Sequence, residues 1–261
     1  MIAALLLAVP LQAPAAPAAA PREPLARPVV IGASFAAGFG VGRTFGAALA
    51  ASCAGEERDE PVDLGDALFF LSPLATGKRQ VAAALEEEPT LVVALDFLFW
   101  FGYGALDAEG GPIEAEEERL ALLETGLALL EELECPLVVG DFPDMSAAVG
   151  GMLMPSQMPE RATLERLTAR VRAWGAGRAD TLVIPLAELV RALGSKDEVR
   201  IGRHVYPAGT RLLQADRLHP TLEGLIAMAQ LVCAELVRAE LAPEEAFRFE
   251  LEAVRKRLVP R

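Results

Sequence analysis

The sequence predicts an α/β fold, a three-layer α/β/α domain built on a mostly parallel, about five-stranded sheet. Two observations carry that expectation. Short apolar runs recur along the chain, and they are continuous instead of alternating, as in strands buried on both faces. Between them lie helical stretches of about ten to twenty residues, long enough for the crossovers that parallel strands require.

The elements follow in order. Pro28-Val29-Val30-Ile31 reads as a first strand ending at Gly32. Residues 41–51 are Ala-rich with helical spacing, and residues 64–71 are expected to hold a second strand. Residues 78–88 read as a helix stopped by Pro89, because the residue before a proline is pushed out of helical geometry. Thr90-Leu91-Val92-Val93-Ala94-Leu95 is a third strand, and residues 115–134 form a long amphipathic helix rich in Leu and Glu. Pro136-Leu137-Val138-Val139-Gly140 is the fourth strand, residues 160–174 a helix, and Thr181-Leu182-Val183-Ile184 the fifth strand. A short helix over 186–193 precedes β-like pieces in 199–214, where His204 is expected in a surface hairpin. Residues 221–240 form the last full helix of one domain spanning 28–240, and 241–261 read as a charged helical tail.

The chain has 261 residues, 52% hydrophobic and 23% charged, which is ordinary for a globular protein. A net charge of −13 opposes binding to a phosphate backbone, so nucleic acid is not an expected partner. The acidic runs Glu86-Glu87-Glu88 and Glu116-Glu117-Glu118 read as solvated helix faces. Residues 1–9 are apolar but too short to span a bilayer, and Ala/Pro-rich sequence follows. Ala13-Pro14-Ala15 offers a small-x-small cleavage site, so residues 1–20 read as a signal peptide, although no Lys or Arg precedes Arg22. A secreted or periplasmic location is expected, with no membrane span. Cys53, Cys135 and Cys233 form no metal-ligand or redox spacing and read as buried thiols. With two separated histidines, neither a metal nor a cofactor is expected.

Ligands of open α/β sheets bind beyond the carboxyl ends of the strands, so the residues following each strand matter most. Ser34 stands three residues past Ile31, at a strand-to-helix turn. Asp216-Arg217-Leu218-His219 precedes the last helix. An Asp-x-x-His turn sets a carboxylate beside an imidazole, and an imidazole so oriented can activate a serine hydroxyl. Read singly, Ser34 and Asp216 are equally helix caps; read together they are a candidate triad of Ser34, His219 and Asp216. Asp141 and Asp144, after the fourth strand, read as turn carboxylates at the same edge. The aromatic run from Phe97 to Tyr103 is expected at the mouth of the site or in the core. Met145, Met152, Met154 and Met158 share one Gly/Pro-bearing loop, which reads as a mobile apolar lid. Gly38-Phe39-Gly40-Val41-Gly42 lies too far past the strand end for a dinucleotide fingerprint.

On these residues the chain resembles the SGNH/GDSL hydrolases, three-layer esterases and lipases. Their blocks place a Gly-Asp-Ser after the first strand, a Gly after the second, a Gly-x-Asn-Asp after the third and an Asp-x-x-His near the end. Here the first block reads Gly32-Ala33-Ser34 and the last reads Asp216-Arg217-Leu218-His219-Pro220. The resemblance covers residues 29–236. It implies hydrolysis of small acyl esters, O-acetylated carbohydrate or lipid among them, with Ser34 as nucleophile, His219 as base and Asp216 as its orienter. The oxyanion would be bound by the N–H of Ser34 and that of Gly77, with Gly65 competing for the second-block position. Two departures stand out. Ala33 replaces the block's Asp, and Asp96 stands where the pattern has Asn, in a sequence that contains no Asn at all. An ionised Asp96 is acceptor-only. The alternatives are therefore a catalytically weakened binding module, or an acyltransferase using the same triad.

Overall fold

The structure, a computed structural model, describes residues 24–55, 61–107, 110–194 and 197–259. The leader expected at 1–20 lies outside the described residues. Five parallel strands form the central sheet: β1 (Pro28–Val30), β2 (Val62–Asp63), β3 (Leu91–Ala94), β4 (Leu137–Gly140) and β5 (Thr181–Ile184). Their order across the sheet is β2-β1-β3-β4-β5. Val29 pairs with Val92, and Val93 with Val138. A separate antiparallel hairpin joins β6 (Val199–Ile201) to β7 (His204–Tyr206).

The apolar runs are continuous because both sheet faces are covered. Successive side chains point to opposite faces. Val29, Ile31, Val92 and Ala94 pack on one side, against α2 (Pro73–Glu86), α3 (Phe99–Tyr103), α4 (Glu116–Leu130) and α5 (Arg161–Ala176). Val30, Leu91, Val93 and Val138 pack on the other, against α1 (Phe45–Ser52), α7 (Leu222–Arg238) and α8 (Leu251–Leu258). On α4, Leu123, Leu127 and Leu130 are buried at the i, i+4, i+7 spacing of a helix stripe. The remaining helix, α6 (Leu186–Leu193), follows β5.

Two expectations are corrected. The second strand is the two-residue β2, not 64–71, and Phe69–Leu71 form a 3-10 turn instead. Phe69 of that segment is buried while Leu68 and Leu71 are exposed, a pattern no strand face requires. The segment 241–259, read as a charged helical tail, holds α8 and docks on the domain: Phe247, Val254 and Leu258 are buried in the same cluster as α1 and α7. Their apolar positions recur every three to seven residues between charges, enough for one docking face. The loop of Met145 is tied down, because Tyr103 Oη accepts the Met145 N–H at 3.1 Å and Arg119 donates to Ser156 O at 2.8 Å. Met145 is buried, whereas Met152 and Met154 are exposed. The aromatic run is split: Phe97 and Phe101 are wholly buried core residues, while Phe99 and Trp100 reach the cavity described below.

Candidate active site

In the order 2-1-3-4-5 the chain leaves β1 to one side and returns to β3 on the other, which opens a crevice beyond their carboxyl ends. Ser34 follows β1 and Asp96 follows β3, so the topology itself brings them together. Gly32 makes the close approach. Its φ is +147°, and a Cβ there would lie 2.1 Å from Asp96 Oδ1, so only glycine fits. The Asp96 carboxylate accepts the N–H groups of Ala33 (3.0 Å) and Phe35 (2.8 Å), with Ala36 more distant at 3.4 Å. It thereby holds both sides of the Ser34 turn. Gln80 of α2 clamps the same turn, accepting the Gly32 N–H and donating to the carbonyls of Gly32 and Leu64.

Asp216 and His219 form a second turn. Asp216 Oδ1 accepts the N–H groups of Leu218 and His219, each at 3.0 Å. Arg217 between them takes φ +62°, a left-handed conformation that costs about 1 kcal/mol in a non-glycine residue. Asp216 Oδ2 lies 2.7 Å from His219 Nδ1, and His219 Nε2 lies 2.9 Å from Ser34 Oγ. Nδ1–H donates to the carboxylate, which leaves Nε2 free to accept from the serine hydroxyl. Ser34, His219 and Asp216 are thus joined in one hydrogen-bonded series. His219 is buried. Burial raises the Asp216 carboxyl, but the bonds from the His219 ring and from the His219 and Leu218 amides outweigh it and hold the carboxyl below its ordinary range. At Asp96 burial wins over the Ala33, Phe35 and Ala36 amides, and its pKa is raised to about 6.

Two residues of this arrangement escape local sequence signals. Phe39 lies against His219 with ring centroids 4.5 Å apart and the rings tilted by 35°. Gln214 donates to the carbonyls of Phe39 and Pro220, both at 2.8 Å, and its own N–H bonds to His219 O. It ties the serine loop to the histidine turn. Gly40, at φ +73°, permits the approach, since a Cβ there would sit 2.6 Å from Gln214 Oε1.

Gly77 is not brought to Ser34. It lies in the body of α2, where a Cβ would touch Leu129, Phe97 and Phe101, and the amides there serve the helix itself. Gly65 abuts the serine turn instead: a Cβ on it would lie 2.7 Å from Ala37 N. The error has a local cause, since β2 has too few paired residues to announce where its following turn begins.

Asp141 is buried and serves α6. It accepts the Ala187 N–H at 2.8 Å, capping that helix, and it pairs with Arg172, which also reaches Glu188 at 2.7 Å. Burial raises the Asp141 carboxyl, against the Ala187 amide and Arg172. Asp141→Ala removes the cap and the pair. An unfolding free energy lower by about 1–2 kcal/mol is expected in urea titration; an unchanged midpoint would refute the latch. Asp144 is exposed and bonds the Ser146 N–H of its own turn. His204 sits in the β6–β7 hairpin, 3.3 Å from Gln230 Oε1. Cys53, Cys135 and Cys233 are buried, and no disulfide joins them.

Beside Ser34 and His219 a cavity of about 110 Å³ enters the molecule. Phe35, Trp100 and Met145 line it together with Ser34 and His219, as do residues of α6 and α7. Among the described residues no group of His, Cys, Asp or Glu is arranged to hold a metal ion, and no helix is long and apolar enough to cross a membrane.

No protein-family model matches the sequence, and no curated protein matches it. Solved structures do. A proposed acylhydrolase from Bacteroides fragilis superposes with a TM-score of 0.50 at 16% identity, over 83% of this chain and 88% of that one. A gut microbial diltiazem-metabolizing enzyme superposes with a TM-score of 0.53 at 16% identity, over 81% of this chain. This chain spans about half of that enzyme, 47% of its length. A GDSL-like lipase from Bacteroides thetaiotaomicron matches at 14% identity and a TM-score of 0.48, over 82% of this chain and 89% of that one.

Proposed function

We propose that this chain, whose fold is SGNH/GDSL hydrolase-like, is a serine ester hydrolase. The observation that carries the reading is the continuous series Ser34 Oγ–His219 Nε2 (2.9 Å) and His219 Nδ1–Asp216 Oδ2 (2.7 Å). Ser34 Oγ attacks the acyl carbon as its proton passes to His219 Nε2. The N–H groups of Ser34 and Gly65 bind the oxyanion. Collapse expels the alcohol, which takes the proton from His219. A water then gives its proton to His219 and attacks the acyl-serine, releasing the acid and restoring Ser34. Asp216 keeps His219 in the reactive tautomer throughout. The reaction as written needs no cofactor, and its substrate is a small-molecule ester.

One observation favours the second reading, a binding module with residual activity. Both Asp96 oxygens are occupied as acceptors by the serine turn, so above pH about 6 this carboxylate offers no hydrogen to an oxyanion. Loss of one such donor costs about 10²–10³ in rate. Hydrolysis of p-nitrophenyl acetate by the wild type beside Ser34→Ala, with fluorophosphonate labelling of Ser34, separates the two. Turnover and labelling that vanish in the variant support the hydrolase. Background rates in both proteins and no labelling support the binding module. We also propose export, on the strength of residues 1–20; the mass of the mature protein from cell-free medium or periplasm tests it.

A further inference from the structure

We infer that the acyl group is an unbranched aliphatic chain of about four to six carbons, a size set by comparison with cavities of ~150 Å³ that hold benzene. This rests on the esterase reading above. The cavity beside Ser34 measures about 110 Å³. Among the described residues, Ser34, Asp96 and His219 are the only hydroxyl, carboxyl or imidazole side chains on it, and all three are engaged with one another's turns. A sugar placed deeper would leave its hydroxyls unpaired, which is costly. An acetyl group would leave most of the space unfilled.

Helix α6 adds an independent argument. Leu186, Leu189, Val190 and Leu193 form an i, i+3, i+4, i+7 stripe, and all four line the cavity. Yet no residue of α6 is fully buried. A helix with so pronounced an apolar face normally packs it against other side chains. Here the stripe packs against the core along only part of its surface, and the rest is left half-buried at the cavity, whose lining it shares with Ile201 of β6 and Ala227 and Met228 of α7. A hydrocarbon chain leaving the acyl carbon at Ser34 would run along the buried Ile201, Ala227 and Met228 and complete the burial of the α6 stripe. Ala227, the smallest of the residues named, sets the depth.

The test is a series of p-nitrophenyl acetate, butanoate, hexanoate and decanoate, run on the wild type, Ser34→Ala, Ala227→Leu and Leu193→Ala. Wild-type kcat/KM is expected to rise about fourfold per added methylene, the worth of one buried CH2, up to hexanoate and then to fall. Ala227→Leu lowers the hexanoate-to-acetate ratio about tenfold, the size of a pocket mismatch. Leu193→Ala moves the optimum toward longer chains, and it carries the test alone if the core variant does not fold. A flat series, an optimum at acetate, or a ratio that neither variant moves, with turnover still dependent on Ser34, overturns the acyl cavity and leaves the esterase standing. Absence of Ser34-dependent turnover on every ester overturns both.

Discussion

Replacement of His219 by Ala is expected to lower kcat for ester hydrolysis about 10⁴-fold or more, and Ser34→Ala by a similar factor. The two act on one event, the transfer of the Ser34 proton during attack, so the double variant should be no slower than either single one. The physical basis is the 2.9 Å contact between Ser34 Oγ and His219 Nε2: an ordinary serine hydroxyl is too weak an acid to attack without a base in contact. Asp216→Asn should fall about 10⁴-fold as well, because an amide facing Nδ1 permits the unreactive tautomer. Asn is the informative substitution at that site. Its side-chain oxygen can still accept the Leu218 and His219 amides that the carboxylate holds at 3.0 Å, so the turn survives while the tautomer control is lost. KM should change little in all of these, since none reshapes the apolar walls. Steady-state assays with p-nitrophenyl butanoate read the effect; a His219→Ala protein within tenfold of wild type would remove histidine from the mechanism.

The hydrogen-bonded series of Ser34, His219 and Asp216 was legible in the sequence because each of its parts is local. An Asp-x-x-His turn needs only three residues of spacing, and a serine after the first strand needs only the strand. The sheet was legible for the same reason: buried parallel strands write themselves as continuous runs, and Leu91–Ala94 and Leu137–Gly140 are buried at every position. What was not legible depends on distant docking. Phe39 covers His219 and Gln214 ties their loops across 175 residues of sequence, and neither residue differs locally from a surface one. Gly65 and Gly77 are both glycines after an apolar stretch. Only the packing of α2, which presses Gly77 toward Phe97 and Phe101, separates them. In the aromatic run, Phe97 and Phe101 go to the core and Phe99 and Trp100 to the cavity. The period of 3.6 pairs Phe97 with Phe101 and sets Phe99 opposite, but it leaves Trp100 nearer to Phe97 than to Phe99, so only packing sends Trp100 to the cavity.

Wild-type stability is expected to fall by roughly 2 kcal/mol relative to Asp96→Asn as pH rises from 4 to 7, most of the effect of a carboxyl whose pKa moves from 3.8 to about 6 on folding. Below pH 3.8 the carboxyl is protonated in the folded and unfolded chains alike. Between 3.8 and about 6 the folded chain alone retains the proton, so stability drains away as pH rises through that window. Above it both states are ionised and the whole cost of burying the charge is present. Asn does not titrate, so it lacks this slope. It pays a separate, pH-independent penalty, because its oxygen can serve Phe35 and Ala36 or Ala33 but not both sides of the turn, and one orphaned amide costs about 1–3 kcal/mol. The wild type should therefore be the more stable protein at pH 4, and the two should converge near pH 7. Urea unfolding at four pH values decides it, and two curves that run parallel would mean that folding leaves the Asp96 carboxyl titrating as it does in the unfolded chain. The outcome bears on catalysis directly. A carboxylate that the serine turn needs as an acceptor is the same group whose charge opposes an oxyanion at the Ser34 amide, and one proton on Asp96 trades the first role against the second.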